Sequence, residues 1–320
     1  MPEKKINLSL KSLSELLILT GLCLLGLTLS GLLSIGLIVA FSGLSLPEVQ
    51  NLAAAPELVP NSRVYLLIMQ AIVAGGSFIA FPALIFVYDR SSAFRPATRI
   101  VPNFTILGMV VGLAVLMMPV NAWLAAWNNS IHLPSFLSEF QQWARAKEQM
   151  VEELTLYLVN FQSGTEIGLG FLVVSLLAGL SEEFFFRRLL QPRFIALVGS
   201  PHLGIWVTAF IFSAIHMQFY GLIPRMVLGA LFGYYYYWTG NIWLPVLGHA
   251  LNNGITLVGM ILYQSRISPI NVEDPTVIPW YIGAVAAGVT WSVATMLKEE
   301  ADKQKLVLKL NREPDLQTLP

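Results

Sequence analysis

Long apolar runs recur along the whole chain, and they restrict its fold more than any other feature of the sequence. A helix that crosses the hydrocarbon core of a bilayer needs roughly 20 mostly apolar residues. Such runs occupy residues 14–42, 63–88, 101–128, 167–190, 203–218, 222–239, 242–263 and 277–297. The sequence therefore predicts an all-α fold: a polytopic membrane helix bundle with about eight transmembrane helices.

The composition agrees with lipid as the solvent for most of the chain. Hydrophobic residues make up 55% of the sequence and charged residues only 12%, whereas soluble domains carry about 25% charged residues. The formal net charge is zero, which gives no electrostatic basis for binding nucleic acid. The lipid bilayer is thus a predicted partner, and nucleic acid is not.

Lysine and arginine are unevenly divided between the loops that separate the apolar runs. With the N-terminus in the cytoplasm, the basic groups within 4–11, 90–99, 187–193 and 298–312 all fall on the cytoplasmic side. The opposite side carries Arg63, Arg145, Lys147 and Arg266, with Arg225 near that boundary. Because short cytoplasmic loops are enriched in basic residues, we predict a multi-pass protein of the plasma membrane with both termini in the cytoplasm.

The chain divides into four predicted parts. Residues 1–164 form an N-terminal membrane module of about three spans, 165–265 form the core, 266–297 form the last span and 298–320 form a charged cytoplasmic tail. Within the first part, an apolar stripe with helical spacing predicts an amphipathic helix over 134–162. Such a helix fits the outer membrane surface or packing on the bundle. The stripe consists of Phe136, Phe140, Trp143, Met150, Leu154, Tyr157 and Phe161.

The first polar group inside an apolar run is Ser181-Glu182-Glu183, which precedes three phenylalanines and two arginines. A charge at the centre of a membrane helix costs about 2.5–3.5 kcal/mol on insertion scales, so such residues are candidates for function. Glu183 and Arg187 are four residues apart and are expected to pair on one helix face. Glu182 is rotated by about 100° around the helix axis from Glu183, and it therefore points away from Arg187. This leaves its carboxylate available for chemistry. The alternative is the end of a span with snorkelling arginines.

Two further polar groups follow on later apolar runs. His216 ends one run, and His249 and Asn253 are four residues apart in another, so that they share a helix face. Taken alone, each has a structural explanation, as an interfacial histidine or as a hydrogen bond between helices. Together with Glu182, these residues predict one shared polar cavity.

The residue types in this predicted cavity are typical of a hydrolase. A carboxylate activates water, a histidine orients the water or moves protons, and an imidazole N–H together with an amide NH₂ holds an oxyanion. No serine or cysteine nucleophile stands beside a histidine at these positions. The residues therefore favour attack by activated water.

The three polar groups, in this order, resemble the motifs of the CPBP family of type II CAAX prenyl proteases, bacteriocin-processing and Abi immunity-type proteins, and lysostaphin-resistance-protein-A-like proteins. The family pattern is Glu-Glu-x-x-x-Arg, Phe-x-x-x-His and His-x-x-x-Asn. All three elements are present, as Glu182-Glu183…Arg187, Phe212…His216 and His249…Asn253. The stretch from Tyr236 to Pro245 also resembles the turn that precedes the third motif. The resemblance covers roughly residues 165–262.

The resemblance implies an intramembrane endopeptidase with a membrane-bound or lipidated peptide or protein as its substrate. Glu182 would activate the water and His216 would assist it, while His249 and Asn253 would stabilise the oxyanion. The remaining motif residues, Glu183, Arg187 and Phe212, would support the site.

The resemblance leaves the role of a metal open. The family is usually labelled a metalloprotease, and a metal-free glutamate mechanism has also been argued for it. Zinc is the metal to consider, with Glu182, His216 and His249 as three ligands and water as the fourth; Glu183 would then be the base. The motif His-Glu-x-x-His is absent. Between these two mechanisms, we favour Glu182 as the base.

Two other classes of function are compatible with the sequence. One is a non-catalytic membrane scaffold or bacteriocin-immunity-type binding protein, against which the intact motif set argues. The other is a proton-coupled carrier, because buried glutamate and histidine also serve as proton relays. The sequence shows no internal repeat, and its polar residues occupy one half of the chain, which argues against a carrier.

Overall fold

The computed structural model describes residues 2–88, 99–272, 274 and 278–312, and this part of the chain contains helices but no β-strand. Arg90 and Arg95, which contributed to the predicted orientation, lie outside the described residues, as does the end of the predicted tail after residue 312.

Long helices account for most of the described chain. They are α1 (Pro2–Ser42), α2 (Ser62–Tyr88), α3 (Phe104–Asn129), α4 (Ser138–Val159), α5 (Gly164–Val198), α6 (Pro201–Ala214), α7 (Leu222–Thr239), α8 (Trp243–Gln264) and α9 (Trp280–Arg312). Short helical turns occur at Leu46–Gln50, Pro56–Leu58 and Ser135–Leu137.

Six helices, α1, α2, α3, α5, α8 and α9, are long and apolar enough to cross a membrane. The predicted polytopic helix bundle is therefore confirmed. The predicted count of eight is not confirmed, because α6 is a shorter apolar helix and α7 is not among the six.

The helices pack as two groups. Helices α3, α7, α8 and α9 share one apolar core. Helices α1, α2, α5 and α6 share another, which is rich in phenylalanine from the segment after Glu183. The two groups meet where α5 packs on α8 and α6 packs on α7, and the three motif groups of the sequence lie at this junction.

Helix α5 is longer than the sequence predicted. The apolar run was expected to end at residue 190, but the helix continues to Val198 and stops at Gly199, whose φ of 71° is left-handed. Pro192 does not end the helix, because it lies at the start of the helical segment that follows a π-helical stretch, Phe184–Leu190, where proline is tolerated. Glu182 therefore lies near the middle of α5 and not near its C-terminal end.

Helix α4 is exposed along its N-terminal part and packs on the bundle at its C-terminal part. Phe140, Trp143 and Met150 are exposed on its N-terminal part. Its C-terminal part is tied to the bundle, where the Tyr157 carbonyl accepts a hydrogen bond from Arg63 at 2.9 Å and the Leu156 carbonyl accepts one from Gln264 at 3.1 Å. At the other end of the chain, α9 runs without a break past residue 298, where the predicted tail begins.

Candidate active site

A close approach of α5 and α8 brings the first and third motifs together. A Cβ atom at Gly179 would lie 3.1 Å from the Ala250 nitrogen, so only glycine allows this spacing without a shift. Ser175 Oγ donates to the Ala250 carbonyl at 2.7 Å, and Asn253 Nδ2 donates to the Val174 carbonyl at 3.0 Å. These contacts fix the face of α5 that carries the two glutamates opposite His249.

Glu183 is fully buried and lies between two positively polarised groups. Its Oε2 is 2.9 Å from Arg187 Nε, a charge contact without hydrogen-bond alignment. Its Oε1 is 2.8 Å from His249 Nδ1, within hydrogen-bond distance. The contact with Arg187 is the one expected from the spacing of four residues, and the contact with His249 was not anticipated.

Glu182 faces the other nitrogen of the same imidazole. Its Oε2 is 3.9 Å from His249 Nε2, and its side chain remains 17% exposed. His249 thus lies between two carboxylates, one engaged with Arg187 and one partly exposed. The regular turn that carries both glutamates, Ala178–Glu183, is flanked by two π-helical stretches, a departure from regular geometry that is frequent at functional sites.

Arg187 is held in an aromatic pocket on the opposite side of Glu183. Its guanidinium carbon lies 4.8 Å from the centre of the Phe212 ring, a cation–π distance. Its Nη2 donates to the Gly229 carbonyl at 3.1 Å. A Cβ atom at Gly229 would lie 3.0 Å from Phe212, so this glycine allows α7 to approach the pocket.

Phe212 connects the two histidines. Its ring contacts the His216 ring at 5.3 Å and the His249 ring at 5.9 Å between centroids. His216 Nδ1 is 2.8 Å from the Phe212 carbonyl, and because a carbonyl only accepts, this nitrogen carries the proton. The chain turns sharply after His216, since Met217 has a left-handed φ of 55°.

Asn253 is positioned by its neighbours on α5 and α8. One N–H of its amide is used by the Val174 carbonyl at 3.0 Å, and its Oδ1 accepts from Asn252 Nδ2 at 3.4 Å. The amide group has two N–H donors, so one remains for a ligand. Asn252, which the sequence placed on a neighbouring face, is buried.

The candidate zinc ligands do not form a metal site by their arrangement. In the described part of the chain, no group of three or more His, Cys, Asp or Glu side chains is placed to hold a metal ion. Nδ1 of His216 and Nδ1 of His249 are both engaged with protein oxygens. In each ring, Nε2 is the nitrogen that remains for a ligand.

Arg225 was assigned by the sequence only to a membrane boundary, yet it belongs to the surroundings of the site. Its Nη2 donates to Gln218 Oε1 at 2.7 Å, and Gln218 follows His216 by two residues. An isolated charge in an apolar run is the same indication that selected Glu182, so the sequence contained the information needed to single out Arg225.

Comparison with known proteins supports the motif assignment over the same segment. Residues 165–255 match the family model described as type II CAAX prenyl endopeptidase Rce1-like, which confirms the resemblance to that family there. At the family level, the match supports a CAAX-type intramembrane peptidase.

A relative in Bacillus subtilis, "Uncharacterized protein YpbD", is 29% identical over 86 residues. The matched stretch covers 26% of this chain and 41% of the length of that protein. No solved structure matched the chain significantly.

Proposed function

We propose that the protein is an intramembrane endopeptidase of the CAAX-protease and bacteriocin-processing type, in which Glu182 activates the water that attacks a peptide bond. The observation that carries the proposal is the arrangement around His249. Its Nδ1 is held by the buried Glu183 at 2.8 Å, and its Nε2 faces the partly exposed Glu182 at 3.9 Å. A carboxylate beside an oriented imidazole is a common arrangement for general-base catalysis.

In this mechanism, each side chain acts at a defined atom. Glu182 removes a proton from water as the water attacks the carbonyl carbon, and it returns the proton to the leaving amine. His216 assists through Nε2, which in the neutral ring is an acceptor because Nδ1 carries the proton. The free N–H of the Asn253 amide donates to the oxyanion.

His249 contributes the second oxyanion donor. Its Nδ1–H already donates to Glu183, so Nε2 donates only when the ring carries both protons. The Glu183 carboxylate and the oxyanion itself balance the resulting positive charge, since Glu182 holds the proton of the attacking water at that stage. Arg187 in turn balances Glu183, which makes Glu183 and Arg187 positioning residues rather than groups that touch the substrate.

The proposed substrate is a membrane-bound or lipidated protein or peptide. The proposed location is the plasma membrane, with both termini in the cytoplasm, as the distribution of basic residues indicates. Tags at the two termini, digested by protease before and after the membrane is opened, measure this orientation. Protection of only one of the two tags would contradict it.

The test is cleavage of a panel of lipidated and transmembrane peptides by purified protein in liposomes. Wild type is compared with Glu182→Ala, each with and without a zinc chelator. We expect cleavage by the wild type and a loss of about 10²–10⁴-fold in the variant, the usual contribution of a general base. Full activity in a folded Glu182→Ala protein would refute the mechanism.

The other lanes of the assay decide between the remaining alternatives. Loss of wild-type activity on chelation would assign the water to a metal instead of to Glu182 alone. If the wild type cleaves none of the peptides but binds one of them, the non-catalytic scaffold or immunity-type role replaces the peptidase.

A further inference from the structure

Phe232 of α7 lies face to face with the imidazole of His249. The two ring centroids are 5.3 Å apart and the ring planes differ by 18°, which is the geometry of a stacked pair. Phe232 is 2% exposed and belongs to the apolar core that α3, α7, α8 and α9 share. None of the three sequence motifs includes this residue. The contact therefore joins that core directly to an imidazole of the candidate active site.

A second aromatic ring contacts the same imidazole from another direction. Phe212 meets the His249 ring at 90°, with 5.9 Å between the centroids. The Arg187 guanidinium carbon lies 4.8 Å from the centre of the Phe212 ring and 5.9 Å from the centre of the Phe232 ring. Both rings thus lie beside Arg187 as well as His249, the two groups that contact Glu183.

The residue before His249 is a glycine, and the close approach of α7 to α8 depends on it. A Cβ atom at Gly248 would lie 3.2 Å from Phe232 Cε1 and 3.0 Å from Tyr235 Cε2. A side chain at this position would therefore push the two rings away from α8. The glycine lets Phe232 reach the imidazole that follows it in the sequence.

A hydrogen bond at Nδ1 does not by itself fix the plane of the His249 imidazole. The χ2 torsion of histidine is broad and roughly two-fold, and the contact from Nδ1 to Glu183 Oε1 at 2.8 Å restrains one atom of the ring. A phenyl ring stacked on the imidazole resists its rotation out of that plane, because the rotation would press the two rings together in a close-packed core. The direction of the Nε2–H bond then follows from both contacts together.

We infer that Phe232 is a positioning residue of the proposed peptidase, which holds the His249 imidazole in the plane where Nε2 points at the developing oxyanion. The inference rests on the proposed function and adds a residue to it. Because Phe232 is buried, it acts through His249 and not on the substrate. Groups that act in the transition state must be held within about 10–20° of the productive direction. Loss of the stack should therefore slow the chemical step more than it weakens substrate binding.

Three variants test this role. Phe232→Leu removes the flat ring, and Phe232→Tyr keeps one. The matched control is Phe185→Leu, because Phe185 is also buried, at 5% exposure, and its ring contacts those of Phe78 and Phe186. For each variant, kcat per folded molecule and KM are measured in liposomes with a lipidated peptide that the wild type cleaves.

We expect kcat of Phe232→Leu to fall about 10- to 100-fold, the loss that a misplaced catalytic group produces, with little change in KM. Phe232→Tyr should keep most of the wild-type kcat. Phe185→Leu should lose stability, as any such change in a core does, and keep its kcat. If Phe232→Leu does not fold, Phe232→Met takes its place, since methionine fills a similar volume without a flat ring.

Nuclear magnetic resonance of the imidazoles detects the stack independently of the reaction. The chain has four histidines, and the Cε1–H signal that disappears in His249→Gln identifies His249. The ring current of a stacked phenyl group displaces such a signal. Phe232→Leu should therefore move the His249 signal, and Phe185→Leu should leave it in place.

Three results would overturn the role of Phe232 while the peptidase assignment stands. They are an unmoved His249 signal in Phe232→Leu, a kcat of Phe232→Leu that matches that of Phe185→Leu, and a kcat of Phe232→Tyr as low as that of Phe232→Leu. If the wild type cleaves no peptide, the proposed function itself fails, and the positioning role fails with it.

Discussion

Helix α5 takes part in two buried contacts between a glutamate and an arginine, one at the candidate active site and one where α1 packs on its C-terminal end. At the site, Glu183 Oε2 lies 2.9 Å from Arg187 within the same helix. At the other end, Glu15 Oε2 of α1 lies 2.6 Å from Arg193 Nε. All four side chains are nearly inaccessible to solvent.

The two regions differ in what surrounds the pair. The Glu183 pair has an added imidazole, and beyond it a second carboxylate that is still 17% exposed. The Glu15 pair is supplemented by Lys11 at 3.7 Å and by the Leu189 carbonyl, which accepts from Arg193 at 2.7 Å. Burial of charge is therefore not enough to identify a catalytic site. The partly exposed carboxylate that faces a fixed histidine is what sets the first region apart.

The largest expected effect is that of Glu183→Ala, which should destabilise the protein and abolish activity together. It leaves the Arg187 charge buried without its carboxylate, at a cost of about 3–5 kcal/mol, and it releases His249. Thermal unfolding in detergent and peptide cleavage measure the two effects. Arg187→Ala should have the same two effects. The double variant should lose less unfolding free energy than the two single variants lose in sum. Additive losses would contradict the proposed pairing of Glu183 with Arg187.

Glu15→Ala should lower stability without changing the chemistry. It removes the carboxylate that contacts the buried guanidinium of Arg193, which should lower the free energy of unfolding by about 3 kcal/mol. The groups around His249 stay in place. The measurement is thermal unfolding together with kcat per folded molecule. If kcat falls as it does in Glu183→Ala, the functional distinction between the two regions is wrong.

A smaller effect is expected at the contact between α5 and α7. A Cβ atom at Gly233 would lie 2.7 Å from Gln191 Oε1 and 2.9 Å from Ile205 Cγ2. Gly233→Ala should therefore lower the free energy of unfolding by about 1–3 kcal/mol through overpacking. Gly112→Ala on α3 is the matched control. It has open space and should be neutral or stabilising by up to about 1 kcal/mol. Equal melting temperatures for the two variants would contradict the close approach.

The smallest expected effect concerns the contact that aligns α5 with α8. Ser175→Ala removes the donor to the Ala250 carbonyl and should cost about 1 kcal/mol, with a modest fall in kcat because the glutamates and His249 lose part of their alignment. Ser292→Ala is the control, since its hydroxyl bonds within its own exposed helix turn. A kcat that falls equally in both variants would show that this contact does not position the site.

The sequence predicted those features of the site that depend on local spacing. Glu183 and Arg187 are neighbours because residues four apart share a helix face, and the rotation of Glu182 away from Arg187 follows from the same geometry. The roles assigned to Glu182, His216, His249 and Asn253 stay predictions until the cleavage assay is done.

Contacts between distant segments could not be predicted in this way. Glu15 and Arg193 are 178 residues apart, and the apolar pattern around each gave no sign of the other. The contribution of Arg225 depends on where the turn after α6 places Gln218. Such contacts depend on the packing of whole helices, which periodicity does not encode.

By itself, the sequence determined that the chain is a helical membrane protein, because hydrocarbon admits only segments that satisfy their own backbone hydrogen bonds. It also singled out the polar residues that are costly in lipid and predicted one shared polar cavity for them. Only the tertiary structure decided that His249 lies between Glu182 and Glu183. That arrangement requires a longer α5, which brings Glu182 to mid-helix, and a glycine at residue 179, which lets α8 approach within van der Waals contact.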